Sequence, residues 1–155
     1  MTDKTVGRRW VVKRGAVLAA LAAAGMVVPK ELFASWNKAA FEGKTADEVV
    51  KALGGSSAAA SGEVQIIASD IAENGAVVPI QAVSRLANTQ QIAILVLANP
   101  NVLAAVFDVG PDIVPDFTTR IKMSQTSNVI VLVKADGKFV SATKEIKVTL
   151  GGCGG

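Results

Sequence analysis

The residues best suited to chemistry stand in a single run, Leu150-Gly151-Gly152-Cys153-Gly154-Gly155. Cys153 is the one cysteine in a chain of 155 residues that has no histidine and no tyrosine. Two glycines on each side remove every neighbouring Cβ, so the backbone around the thiol is unhindered and fits a narrow passage. Glycine also loses the most conformational entropy on ordering, so such a tail adds nothing as structure. The three residues from Leu150 to Cys153 extend by roughly 10 Å at 3.3–3.6 Å each, which makes the thiol a short swinging arm once Leu150 is anchored on a strand. An ordinary thiol, of pKa about 8.5, is only a few per cent thiolate near neutral pH, and activating it takes a histidine, a helix N-terminus or close cations. None is evident in the sequence around Cys153. The thiol therefore reads as a handle that other enzymes modify.

The missing residues narrow the alternatives. Without an imidazole there is no Ser-His-Asp or Cys-His catalysis, no 2-His-1-carboxylate iron site, no HExxH zinc site and no c-type haem attachment. With one cysteine there is no intrachain disulfide and no cysteine-ligated zinc or iron–sulfur site. No cofactor and no metal are expected. The net charge of +3 and pI near 9.2 invite a nucleic-acid reading, but the excess sits in residues 1–34, which hold six basic and two acidic side chains. The remainder carries ten basic and eleven acidic ones. No basic cluster with interleaved aromatics survives there, and nucleic-acid binding is not expected.

Residues 1–34 read as a leader. A basic stretch over 4–14 precedes an unbroken apolar and small-residue run over 16–28, then Pro29 and Lys30. As a helix that run spans only about 20 Å, short of the roughly 30 Å hydrocarbon core, so a cleaved signal peptide is favoured over an anchor. Arg8 and Arg9, followed by Trp10-Val11-Val12-Lys13, resemble the twin-arginine export signal. Cleavage is expected after Ala34, with export to an oxidising bacterial compartment.

Residues 35–62 are expected to form short helices and a linker. Thr45 and Glu48 have the spacing of a capping box, and Ala46, Val49, Val50 and Leu53 then mark one buried face before Gly54 closes the helix. Trp36 and Phe41 are expected to pack with it. The stretch 54–62, Gly54-Gly55-Ser56-Ser57-Ala58-Ala59-Ala60-Ser61-Gly62, shows no periodic face and reads as a linker.

Residues 63–150 carry strand signals. Strands are expected over 64–68, 76–84, 92–98, 102–109, 117–123 and 129–135, with Asn74-Gly75 as a turn that supplies positive φ and Pro111 and Pro115 in a loop. The stretch 92–98 is apolar on both faces, as an inner strand requires. Asp136-Gly137 signals a hairpin. After it, Val140, Ala142, Ile146, Val148 and Leu150 alternate with polar residues, a half-buried strand whose last core residue is expected to be Leu150. Six or seven short strands without long intervening helices favour a two-layer antiparallel β-sandwich. The domain plan is a leader over 1–34, helices and linker over 35–62, a sandwich over 63–150 and a flexible arm over 151–155.

The arginine leader, Trp36-Asn37-Lys38-Ala39-Ala40-Phe41, the stretch Thr119-Arg120-Ile121-Lys122-Met123-Ser124-Gln125-Thr126-Ser127, and Lys144 through the final GGCGG together resemble the SoxY family, the sulfur-binding subunit of the periplasmic thiosulfate-oxidation carrier. The likeness covers essentially the whole chain, and the final motif is its most specific part. It implies a mainly β, immunoglobulin-like sandwich with short N-terminal helices, paired as a heterodimer with a SoxZ-like subunit. It also implies that Cys153 bears covalent sulfur intermediates, with Gly151, Gly152, Gly154 and Gly155 giving the arm its freedom. Further implied partners are a haem enzyme that couples thiosulfate oxidatively to the thiol, a hydrolase that releases sulfate and, in some organisms, a sulfane dehydrogenase.

Three other readings fit parts of the sequence. Gly154-Gly155 fit a carrier that activates a terminal thiocarboxylate, but such proteins are cytoplasmic and the leader argues against them. Leu150-Gly151-Gly152-Cys153 fit a lipobox, but a lipoprotein cysteine directly follows its signal peptide. The alternative from another class is an exported β-sandwich assembly protein, linked through an intermolecular disulfide. An exposed thiol on a flexible arm also favours homodimers joined through Cys153 in an oxidising compartment.

Overall fold

Two capped helices open the part of the chain that the computed structural model describes, residues 37–150. Asn37 begins α1 (Lys38–Glu42), its side chain accepting from the Ala40 amide. Thr45 begins α2 (Ala46–Ala52), its Oγ1 accepting from the Glu48 amide at 3.2 Å. Glu48 Oε2 reaches back to the Lys44 amide at 2.7 Å, one residue before the cap itself. Both ends of the expected helix signature are therefore used. At the other end, Gly54 takes φ +87°, with its amide on Lys51 O and the Gly55 amide on Val50 O. That pair of bonds is the Schellman closure, and it needs a residue that tolerates positive φ. Gly55 is fixed by crowding: a Cβ there would stand 2.5 Å from the Phe139 ring. Phe41 packs partly buried against this region; Trp36 lies outside the described residues.

Nine strands follow among the described residues: β1 (Ala58–Ala60), β2 (Val64–Ile67), β3 (Ile71–Ala72), β4 (Val78–Ser84), β5 (Thr89–Val96), β6 (Leu103–Asp108), β7 (Asp116–Ile121), β8 (Ser127–Ala135) and β9 (Lys138–Val148). The larger sheet runs β1-β9-β8-β5-β6 with β3 also on β9, and the smaller runs β2-β4-β7. This is a mainly β, immunoglobulin-like sandwich with short N-terminal helices. The longer strands pair antiparallel as expected. Between β8 and β9 the chain turns at Asp136 (φ 48°) and Gly137 (φ 75°), the double positive φ of a tight hairpin.

Side-chain alternation divides the core into two layers. Ile92, Ile94 and Val96 of β5 join Ile80, Val131 and Ile146 between the sheets, while Ala93 and Leu95 join Val49, Val50, Leu132 and Phe139 under the helices. An inner strand buried on both faces is what the 92–98 run predicts. Phe107 and Phe117 stack at 4.8 Å with planes 9° apart, tying β6 to β7 across the sandwich.

Three expectations need correction. The stretch 54–62 is not wholly a linker, because Ala58, Ala59 and Ala60 pair in parallel with Phe139, Val140 and Ser141. An edge strand of alanines draws its order from backbone bonds, which leave no hydrophobic period to read. Asn74-Gly75 forms a turn, but positive φ among the described residues falls at Gly54, Asn88, Asp136 and Gly137. Asn74 Oδ1 accepts from the Ala76 amide at 2.8 Å, so the turn is closed by a side chain without positive φ, and β3 intervenes between β2 and β4. Leu150 is not a core residue: it is 65% exposed, and Ile146 is the last fully buried side chain of β9. Past Val148 the strand has outrun the layer opposite.

Candidate functional site

Cys153, Gly151, Gly152, Gly154 and Gly155 lie outside the described residues, as do Arg8 and Arg9. The strand that leads to Cys153 is described to its end. β9 is the longest strand, and its outer edge is covered by two short parallel strands: β1 against residues 139–141 and β3 against Lys147 and Val148. Covering that edge removes a row of unpaired backbone groups that would otherwise invite another chain.

The last described residues are clamped from one side. The Lys147 amide donates to Asp70 O at 2.9 Å and the Thr149 amide to Ala72 O at 3.1 Å. Thr149 Oγ1 donates to Glu73 O at 3.0 Å, and Leu150 O accepts from the Gly75 amide at 2.7 Å. Four successive contacts thus bind 147–150 to the loop that carries β3. On the inner side the Val148 amide donates to Thr126 Oγ1 at 2.9 Å.

That threonine belongs to the stretch 119–127, which the structure sets directly beside the end of β9. Met123 is fully buried, and its amide donates to Gly75 O at 2.7 Å. Ser124 Oγ donates to Ala98 O, and Ser127 Oγ accepts from the Ala98 amide. Ser124, Thr126 and Ser127 thus spend their hydroxyls on backbone partners and support the strand end.

Between the two parallel strands on the β9 edge, Lys144 reaches outward. Its Nζ donates to Ala68 O at 2.6 Å and lies 2.9 Å from Asp70 Oδ1. The hydrogen bond and charge of Lys144 hold the Asp70 carboxyl below the ordinary aspartate range. Asp70 is exposed, so water and salt screen the pair and its direct contribution to stability is small.

No cluster of three or more metal-ligating side chains occurs among the described residues. An open groove of about 420 Å³ runs beside Ile67, Pro79, Gln81 and Thr118 and presents no ionisable side chain. The clamp residues Asp70, Ala72, Glu73, Gly75, Thr126 and Thr149 escaped sequence reasoning, because five of those contacts use backbone groups distant in sequence. Only the Asn74-Gly75 turn and the 119–127 stretch pointed toward them.

A family model described as "Sulfur oxidation protein SoxY" matches residues 49–153. The chain belongs to the SoxY family. The match begins within α2 and ends on Cys153 itself. Among solved structures, the sulfur carrier protein SoxY from Chlorobium limicola f thiosulfatophilum is 36% identical with a TM-score of 0.61, covering 67% of this chain and 94% of that one. Two superoxide reductase (neelaredoxin) structures from Ignicoccus hospitalis show 15% and 14% identity, with TM-scores of 0.48 and 0.49. They cover 55% and 63% of this chain, and 78% and 86% of their own. No curated protein matches the chain. Membership in the SoxY family accords with the sandwich expected from the strand pattern.

Proposed function

We propose that this chain is a periplasmic sulfur carrier, which holds intermediates covalently on Cys153 and presents them to partner enzymes on its glycine arm. The observation that carries the reading is the family match that runs through to Cys153. The clamped end of β9 supports it, since a reach of roughly 10 Å from Leu150 is useful only from a fixed point. Two glycines on either side of the thiol keep that reach slender.

The chemistry follows from the thiol. The Cys153 thiol gives up its proton to solvent and its sulfur joins the terminal sulfur of thiosulfate, forming one S–S bond as a haem-containing partner accepts two electrons. A hydrolase then adds water at the sulfone sulfur and breaks its bond to the neighbouring sulfur: sulfate and one proton leave, and a protonated persulfide stays on Cys153. Where a sulfane dehydrogenase is present, it oxidises that remaining sulfur. The chain contributes neither base nor metal to these steps, and a SoxZ-like subunit completes the carrier as a heterodimer. In the absence of partner enzymes, disulfide-linked homodimers form through Cys153, two thiols giving two electrons and two protons to an oxidant such as dioxygen in the oxidising compartment. Export proceeds by the twin-arginine route, with Arg8 and Arg9 read by that machinery.

Cys153→Ser tests the reading. Serine keeps the shape but cannot make the sulfur–sulfur bond, so thiosulfate-dependent turnover by the reconstituted system is expected to vanish while the unfolding midpoint stays put. Wild-type turnover by the serine variant would refute the carrier mechanism.

A further inference from the structure

All the hydrogen bonds that Thr149 and Leu150 make among the described residues go to residues 72–75. Those residues belong to a connection whose only strand, Ile71–Ala72, is two residues long, with Ile71 more than half exposed. So short a parallel pairing is a weak fastening. What else holds this connection to β9 therefore decides where the arm begins. Lys144 is placed to do so. It lies in the gap on the β9 edge between the residues paired with β1 and those paired with β3, and its amine donates to the backbone oxygen of Ala68 at 2.6 Å, the start of the same connection. A charge-assisted bond to a partly sheltered carbonyl is the stronger of its two contacts; the ion pair with exposed Asp70 is the weaker.

We infer that Lys144 is a positioning residue: by holding the 68–75 connection against β9 it makes Leu150 the pivot of the carrier arm. This rests on the carrier reading given above. With the latch in place, the pivot stands three residue steps from Cys153. Without it, the pivot retreats to Val148, whose amide is still held by Thr126 Oγ1, five residue steps from Cys153. The reach grows from roughly 10 Å to roughly 17 Å. Effective concentration falls as about the −3/2 power of tether length, so a thiol on the longer tether meets a docked active site about twofold less often. The loss falls on events after docking, because the surface that meets the enzyme is unchanged.

The test uses the mature chain with its partner subunit, loaded at Cys153 with thiosulfate and supplied to the sulfate-releasing hydrolase. Lys144→Met keeps the length and apolar stem of the side chain and removes the donor. Hydrogen exchange at the Lys147 and Thr149 amides is expected to quicken by about tenfold or more, while Ile94 and Val131 are unchanged. In the same variant kcat is expected to fall about twofold with KM constant. Lys144→Arg, whose fork also donates to both acceptors, restores both readouts; Asp70→Asn alters neither. Unchanged exchange in Lys144→Met would overturn the proposal, as would faster exchange with wild-type kcat. A raised KM at constant kcat would also overturn it, by assigning Lys144 to the docking surface. A wild-type chain that takes up no adduct at Cys153 would overturn the carrier reading and this proposal together, a result seen before any variant is made.

Discussion

The amide of Gly75 donates to the carbonyl oxygen of Leu150 at 2.7 Å. The carbonyl of the same glycine accepts from Met123, also at 2.7 Å, so one residue joins the exposed end of β9 to a side chain wholly inside the sandwich. Leu150 itself is mostly exposed and owes its place to this backbone contact, not to burial. The end of β9 is thus held by hydrogen bonds that a local opening can break, while the core beneath it stays packed.

Where α2 meets the beginning of β9, packing leaves no room for a methyl group. Gly55→Ala would place a Cβ 2.5 Å from Phe139 Cδ2 and 2.9 Å from Val50 Cγ1. Overpacking of this kind costs about 1–3 kcal/mol. Gly62→Ala meets nothing within 4 Å and is expected to stay within about 0.5 kcal/mol of wild type. Urea unfolding of the mature chain checks the contrast; equal midpoints for the two variants would contradict the packing described for α2.

The Asp70–Lys144 pair sets the sign of a pH effect. Because Lys144 lowers the Asp70 pKa in the folded chain, the pair's contribution is complete above the unfolded value of about 4 and is lost as pH falls through the lower folded value. Asp70→Asn is expected to leave the neutral-pH midpoint nearly unchanged and to flatten the acid limb slightly. Thermal melts between pH 7 and pH 2 measure this: the small difference between variant and wild type is expected to be constant above about pH 4 and to shrink as the pH falls below it, whereas a steeper acid limb than wild type would contradict the assignment.

Much of this arrangement is legible in the residue pattern. Alternation marks β9, two-sided apolarity marks β5, and Asp136-Gly137 marks the turn between β8 and β9, since each is a local signal repeated over several residues. Strands β1 and β3 are not legible: three alanines and an isolated Ile-Ala pair have no period to detect. The exposure of Leu150 escaped for a related reason, since alternation predicts which face a side chain takes but not whether a second layer still covers it. Cys153 stood out through its glycine flanks, whereas the clamp beneath it depends on contacts such as Thr149 with Glu73 and Lys144 with Ala68, which the chain brings together only on folding.

Export is expected to depend on Arg8 and Arg9 together. The double substitution Arg8→Lys with Arg9→Lys keeps the positive charge of the leader but loses the paired guanidinium groups. Fractionation of cells is expected to show precursor held in the cytoplasm. Normal export of the double variant would remove the twin-arginine assignment and leave only export by another route.

The carrier account is tested most directly by the mass of the protein isolated from cells oxidising thiosulfate, followed by peptide mapping. A fraction of the chains is predicted to bear sulfur-containing adducts, all on the peptide with Cys153, all removed by thiol reductants and absent from Cys153→Ser. Chains that remain unmodified during active thiosulfate oxidation, or that carry the added sulfur at any residue other than Cys153, would contradict it.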